Sequence, residues 1–277
     1  MSTKPGTLYV VATPIGNLDD MTHRAEGVLR QVDRICCEDT RHSGKLLEHL
    51  GIKARLVSLH DHNERDRVAQ LLDWLAAGER IALISDAGTP LISDPGYIVV
   101  REARAAGHAV VPIPGASAVV TALSAAGLPT DRFRFEGFLS AKANARREQL
   151  KSLSREPATL VFYESPHRVA ALVEDIAAVL GQERRVVIAR ELTKRFEEFI
   201  EGEAASLASR LAEGIRGECV VMVAGAEVDN APDIDADTLL RALLQELPAS
   251  KAAKLAAKIT GQPRNALYDR ATELAKS

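Results

Sequence analysis

The sequence is poor in cysteine, aromatic residues and net charge, and it has no long hydrophobic run. Its three cysteines, Cys36, Cys37 and Cys219, form neither a disulfide framework nor a zinc-ligand spacing, which suits a reducing cytosol. With 35 Lys and Arg against 38 Asp and Glu, the chain is near neutral, so any contact with nucleic acid must come from local basic patches. The first apolar run, Leu8 to Ala12, is soon broken by Pro14 and is too short for a signal peptide; no later stretch approaches membrane length. Neither GxGxxG nor GxxxxGK[ST] occurs, which disfavours dinucleotides and nucleoside triphosphates as ligands. Aromatic residues number six Phe, four Tyr and one Trp, with Phe133, Phe135 and Phe138 together in FRFEGF, a segment that fits either a stacking platform or a half-buried strand.

What is present is a set of turns at strand ends. LISDAGTPLISDPG, from Leu83 to Gly96, is an apolar strand ending in Ser85 and Asp86 and followed by two turns rich in Gly and Pro. Similar turns follow apolar runs at 12–17 (ATPIGN) and 112–118 (PIPGASA). Strands that stop in such turns leave backbone N–H and C=O groups free at their carboxyl ends, where open α/β sheets bind small ligands.

The spacing predicts strands at 7–12, 34–37, 55–59, 80–84 and 109–113, with helices at 22–31, 40–50, 64–77 and 97–106 between them. That alternation implies a mostly parallel sheet covered on both faces. After Gly127 a second unit is expected to start near FRFEGF, with strands at 159–163, 185–189, 197–200 and 218–224, helices at 167–180 and 203–212, and a mixed sheet. Residues 228–237, with Asn, Pro and four Asp, read as a linker, and 238–275 as a small helical bundle. The expected fold class is therefore α/β: two α/β domains with a cleft between them, residues 1–126 and 127–227, followed by a linker and small helical domain at 228–277. In that last segment Gly261 and Pro263 break one helix from the next, and Lys251, Lys254 and Lys258 form a basic stripe suited to RNA.

Taken in order, VATPIGNLDDMTHRA, CEDTRHS, SDAGTPLISDPG, PIPGASA, FYESPHR, ARELTKRFEE and GECVVMVAG resemble the tetrapyrrole methylase superfamily, and within it the branch that methylates the ribose 2′-oxygen of a cytidine in the decoding region of 16S ribosomal RNA. The resemblance spans residues 7–225 and implies two α/β domains, S-adenosylmethionine in the cleft between them, and a homodimer acting on 16S rRNA or the small ribosomal subunit in the cytoplasm. Matching residue by residue, it implies cofactor contacts at Pro14, Asp86, Gly88, Thr89, Leu91, Ile92, Ser117, Ala118, Tyr163, Glu218 and Cys219, with Ile15 beside Pro14 in the first loop. Relatives usually carry GDP where this chain has Gly88, Thr89 and Pro90, so polar recognition falls to Asp86, Thr89 or Asp94.

Methyl transfer to a hydroxyl is an in-line displacement in which alignment supplies much of the rate, while a base assists loss of the hydroxyl proton. Glu164, which follows a strand and precedes a Pro-led helix start, is the expected base, set against a structural role beside Arg168 or at the helix N-terminus. RNA contacts are expected at Arg24, Arg41, His42, Arg168, Arg190 and Lys194, with Lys142, Arg146, Arg147 and Lys151 as a further basic helix face. The one spacing suggestive of a metal, His60, Asp61 and His62, lacks a third histidine or a cysteine and reads as a polar loop, so no metal is expected. The alternatives are a tetrapyrrole C-methyltransferase of cobalamin or sirohaem synthesis, against which YESPHR and the basic C-terminal segment speak, and a nonenzymatic module that binds an adenosyl ligand or RNA.

Overall fold

The structure is a computed structural model and describes residues 6–60, 63–212, 214–227 and 235–275. Contacts along the chain divide it into two compact units, residues 1–226 and 227–277. In the first unit the chain begins with β1 (Thr7–Val11), α1 (His23–Leu29), β2 (Arg34–Cys37), α2 (Thr40–His49), β3 (Leu56–Ser58), α3 (Glu64–Ala76), β4 (Arg80–Leu83), α4 (Tyr97–Ala105) and β5 (Ala109–Ile113). These five strands form one parallel sheet in the order β3-β2-β4-β1-β5.

Alternation along the strands divides the apolar residues between two cores, as a sheet covered on both faces requires. Val11, Ile35, Cys37, Ala82 and Ile84 meet Ala25 and Leu29 of α1 and Leu47 of α2. Leu8, Cys36, Ile81 and Leu83 meet Leu71 and Leu75 of α3 and Val99 and Ala103 of α4. Because the strands are parallel, all their carboxyl ends lie on one edge. The adjacency β4-β1-β5 therefore sets the turns after β1, β4 and β5 side by side.

Helix α5 (Ala118–Ala125) follows, an element absent from the sequence-based assignment, and it leads into β6 (Phe133–Phe138), α6 (Ala143–Ser152), β7 (Thr159–Glu164), α7 (Val169–Leu180), β8 (Arg185–Arg190), β9 (Glu198–Glu203), α8 (Ala204–Arg210) and β10 (Cys219–Val223). The second sheet runs β6-β7-β10-β8-β9; only β6 and β7 are parallel, so the sheet is mixed as expected. One face packs on α6, α7 and α8 through Leu160, Phe162, Val186, Ile188 and Val221. On the other face Val161, Val187, Val220 and Met222 meet Val119, Ala122 and Leu123 of α5. Helix α5, drawn from the chain's first half, thus covers the second sheet.

The basic face expected at 142–151 is partly internal. Arg146 and Arg147 both turn onto the buried carboxylate of Asp175 in α7, with Nε–O distances of 2.7 and 2.6 Å. In the second unit α9 (Ala236–Leu244), α10 (Ala249–Thr260) and α11 (Arg264–Leu274) share a small core of Leu240, Ala252, Ala253, Ala256, Leu267 and Ala271. No helix of the described residues is long and apolar enough to cross a membrane.

Candidate active site

A cavity of about 410 Å³ opens in the first unit where the carboxyl edge of the first sheet meets the β7, β10 and β8 ends of the second. Three turns of the first sheet form one wall, and they are laced together by hydrogen bonds. The backbone N–H of Thr13 donates to the Gly88 carbonyl at 2.9 Å and the Gly88 N–H returns to the Thr13 carbonyl at 3.0 Å. The Thr13 hydroxyl, almost fully buried, donates to the Ser85 carbonyl at 3.2 Å. From the same turn as Gly88, the Thr89 hydroxyl donates to the Ala116 carbonyl, in the turn after β5, at 3.0 Å.

Gly88 holds φ 78° with Ile15 Cγ2 only 3.2 Å from where a Cβ would stand, so both its conformation and its space favour glycine. Leu91 and Ser93 also have positive φ, 74° and 66°, in the same loop. Strained backbone of this kind persists where the surrounding contacts fix it, and it gathers at binding sites. Glu64 of α3 completes the support, accepting from the N–H groups of Ile98 and Val99 at 2.8 and 3.1 Å and so capping α4 directly after this loop.

The opposite wall comes from the second sheet. Antiparallel pairing sets Cys219 opposite both Glu164 of β7 and Arg190 of β8, so three strand ends meet in a row. Tyr163 stands against Phe135 and Phe138, with ring centroids 4.8 and 5.5 Å apart. Simple alternation would send Phe135 and Phe138 to opposite faces. A shift of register at Gly137, φ 65°, brings both rings to Tyr163. Burial, and then the nearby Asp94 carboxylate, push the Tyr163 phenol up to about 12, so it remains a neutral hydroxyl. Burial likewise drives the Cys219 thiol up to about 12, against the opposing pull of Arg190.

Of the expected cofactor residues, Asp86, Gly88, Thr89, Ile92, Ser117, Ala118, Tyr163, Glu218 and Cys219 line this one cavity. Pro14 and Leu91 do not line it. Pro14 is buried, and Leu91 turns toward the core under α3 and α4. Ala87, Ser93, Phe138, Ser165, Pro166, Leu192 and Val220 line it without having been singled out for it; the YESPHR motif for Ser165 and Pro166 and the glycine before Phe138, which marks the bulge, are local signals for them. Glu164 also lines the cavity, and its side chain is fully buried. Its Oε1 accepts from the Ser165 N–H at 2.8 Å, while Oε2 lies 3.1 Å from Arg168 Nη2 without an aligned hydrogen bond.

The expected RNA residues fall into two groups. Arg24, Arg41 and His42 are exposed, and Arg41 is bonded to Asp39, the cap of α2. Arg168, Arg190 and Lys194 are engaged within the fold. Arg168 donates to the Leu139 carbonyl at 2.7 Å as well as facing Glu164, and Arg190 pairs with Glu198 at 2.6 Å. Lys194 pairs with Glu191 at 3.1 Å and Glu218 at 2.9 Å. Burial works against the Lys194 ammonium, but the two carboxylates outweigh it and raise its pKa. Of the His60, Asp61 and His62 trio, the last two lie outside the described residues; among those described, no cluster of three or more His, Cys, Asp or Glu is arranged to hold a metal.

A family model for the tetrapyrrole (corrin/porphyrin) methylases matches residues 7–208, the segment that builds both sheets up to α8. The chain belongs to the tetrapyrrole methylase family. A model described as the RsmI C-terminal HTH domain matches residues 230–275. Curated relatives named ribosomal RNA small subunit methyltransferase I include one from Xylella fastidiosa (strain Temecula1), 53% identical with 97% of this chain and 99% of that protein covered. Another, from Escherichia coli O157:H7, is 55% identical, covering 97% of this chain and 95% of its own. The tetrapyrrole methylase fold itself recurs in the solved uroporphyrin-III C-methyl transferase of Thermus thermophilus complexed with S-adenyl homocysteine. That match has a TM-score of 0.56 at 17% identity and covers 79% of this chain and 97% of that one.

Proposed function

We propose that this chain transfers the methyl group of S-adenosylmethionine to the ribose 2′-oxygen of a cytidine in the 16S RNA of the small ribosomal subunit. The observation that carries the proposal is the charge of the cavity wall. Asp86, Asp94, Glu164 and Glu218 line it, and no Lys, Arg or His does among the described residues. A cleft walled by carboxylates favours a cationic sulfonium and opposes the phosphates of nucleotide cofactors. The tightly fixed Gly88 turn and the three laced turns around it fit an adenosyl ligand, and relatives sharing about half of the residues carry the rRNA methyltransferase name.

Bound adenosylmethionine supplies an electrophilic methyl group and a neutral thioether as leaving group. The chain's own work is to hold the ligand, exclude water and align the acceptor oxygen. We assign cofactor contacts to those expected residues that line the cavity, with Tyr163 and Phe138 as its aromatic side. Glu164 Oε2, which has no aligned donor in the fold, is assigned as acceptor of the 2′-hydroxyl proton, with Arg168 holding it in place. RNA phosphates are assigned to exposed Arg24, Arg41 and His42. We take the enzyme to work in the cytoplasm as a homodimer, in which a second copy would cover apolar side chains such as Tyr97 and Val120, both at least 60% exposed; sedimentation reads that state directly.

The test incubates the protein with methyl-labelled adenosylmethionine and, separately, 30S subunits, naked 16S RNA and a porphyrinogen. Label in a cytidine ribose is expected. Label confined to the porphyrinogen would establish the tetrapyrrole alternative, and no transfer to any substrate would leave a binding module. Within the RNA reaction, a Glu164→Gln variant with normal turnover and normal RNA binding would exclude Glu164 as the proton acceptor.

A further inference from the structure

The three-helix unit segregates its charge. From Leu247 to Tyr268 the sequence contains no Asp or Glu and carries Lys251, Lys254, Lys258 and Arg264. On α10 the alanines Ala252, Ala253 and Ala256 enter the core, which leaves Lys251, Lys254, Leu255 and Lys258 exposed on the opposite side. At three- and four-residue spacing the lysines make a single stripe that runs roughly 10 Å along the axis.

Three acidic residues of the same unit are occupied away from the stripe, and Glu246 and Asp269 lie just outside the acid-free segment. Asp235 caps α9 by accepting from the Thr238 N–H at 2.9 Å and its hydroxyl at 2.6 Å. Asp237 and Glu273 both pair with Arg270, at 2.5 and 2.9 Å. None of Lys251, Lys254, Lys258 and Arg264 has an ion pair among the described residues. Past Gly261, whose φ of 70° ends α10, the Gly-Gln-Pro turn delivers Arg264 and Asn265, both exposed, at the start of α11. One turn later Tyr268 is 45% exposed.

The geometry points to an RNA grip: the α10 lysine stripe and the first turns of α11 hold the phosphate backbone of the substrate RNA, with Tyr268 as a stacking surface. This rests on the proposal that the substrate is ribosomal RNA. Unpaired cations free of neighbouring acids gain from releasing condensed counterions when they meet phosphates. An exposed aromatic beside them adds sequence-tolerant stacking. A lipid surface is a poorer match. The apolar side of α10 is spent in the core, and Leu255 alone breaks the stripe, so the helix has no apolar face to enter a bilayer.

The experiment uses the full chain carrying Lys251→Ala, Lys254→Ala and Lys258→Ala together, and separately Tyr268→Ala. Binding to naked 16S RNA is followed by fluorescence anisotropy at salt concentrations from roughly 0.05 to 0.3 M. For the triple variant, affinity is expected to fall at least about tenfold, and the slope of log K against log salt to flatten by roughly 2 to 3. Tyr268→Ala should weaken binding and leave the slope alone. Melting temperature and adenosylmethionine affinity should stay unchanged in both, since none of these side chains is in a core or in the cavity. Unchanged RNA affinity and slope in the triple variant overturn the inference. So does loss of binding to poly-glutamate without loss of binding to RNA, which would mark an acidic protein as the partner. Methyl transfer by the wild type, run in parallel, separates the cases: no transfer to RNA defeats the proposed activity, whereas intact transfer with an unaltered variant defeats the grip alone.

Discussion

The Thr89 hydroxyl donates to the Ala116 carbonyl at 3.0 Å, which ties the turn after β4 to the turn after β5 across the floor of the cavity. Here a neutral donor ties one loop to another. Thr89→Val keeps the shape and removes the donor. One neutral hydrogen bond is worth about 1 kcal/mol, so adenosylmethionine should bind roughly fivefold more weakly by calorimetry. An unchanged affinity would mean that the Thr13–Gly88 bridge holds the loops unaided.

Gly16 is where the first-strand loop meets the second sheet's edge. A Cβ there would lie 2.7 Å from Cγ and 2.8 Å from Cε of Lys194, a side chain pinned by Glu191 and Glu218. Gly16→Ala is therefore expected to displace Lys194, disturb the cavity wall at Glu218 and weaken adenosylmethionine binding several-fold. Adding Lys194→Ala should restore most of that loss, since it removes the two nearest atoms and leaves only Thr193 Oγ1 at 3.0 Å. Failure of the double variant to recover would place the defect in the loop itself.

The Arg146–Asp175 pair is 6% and 3% exposed at its side chains, and Arg147 adds a second guanidinium. Leaving a buried charge without its partner costs about 3 to 5 kcal/mol. Asp175→Ala should therefore lower the chemical-denaturation midpoint far more than Arg147→Ala, whose side chain is largely in solvent. Denaturation followed by far-UV circular dichroism decides the order.

Burial raises the thiols of Cys36 and Cys219 to about 12 and that of Cys37 above its ordinary value. At pH 8 a thiol with a pKa near 12 is thiolate in only about one molecule in ten thousand. Iodoacetamide should accordingly spare all three cysteines in the native protein at pH 8 and modify all three after denaturation, as read by mass spectrometry. Rapid native alkylation of Cys219 would show that the cavity wall opens.

At the exposed cap of α2, Asp39 is held down to about 2, first by the Arg41 side chain and then by backbone N–H groups. A carboxylate with a depressed folded pKa contributes stability above its unfolded pKa, and that contribution fades as pH falls toward 2. Asp39→Asn should therefore lower stability at pH 7, where the contribution is fully present, and change little near pH 2, so that denaturation midpoints followed between about pH 4 and 2 fall less steeply than in the wild type.

Much of this was legible in the sequence because parallel strands buried on both faces read as short apolar runs ended by Gly-Pro turns. The runs at 34–37 and 109–113 match β2 and β5 residue for residue. Helix α5 escaped because AVVTALSA has no polar face for a helical period to show, and Ser117 before it makes no side-chain cap. The bulge at Gly137 escaped because alternation assumes regular pairing, and one shifted residue reverses every side chain beyond it. The pairing of Arg168, Arg190 and Lys194 with carboxylates was also hidden. Glu198 and Glu218 reach them across strands, and only Glu164 and Glu191 stand at helical spacing.

The acidic cavity has one more consequence. A wall that attracts its ligand through positive charge grades occupants by that charge, and a sulfonium that gives up its methyl group gives up the charge with it. Asp86 and Asp94 would then distinguish a loaded donor from a spent one though the two differ by a single carbon, and turnover itself would loosen the product's hold on the site.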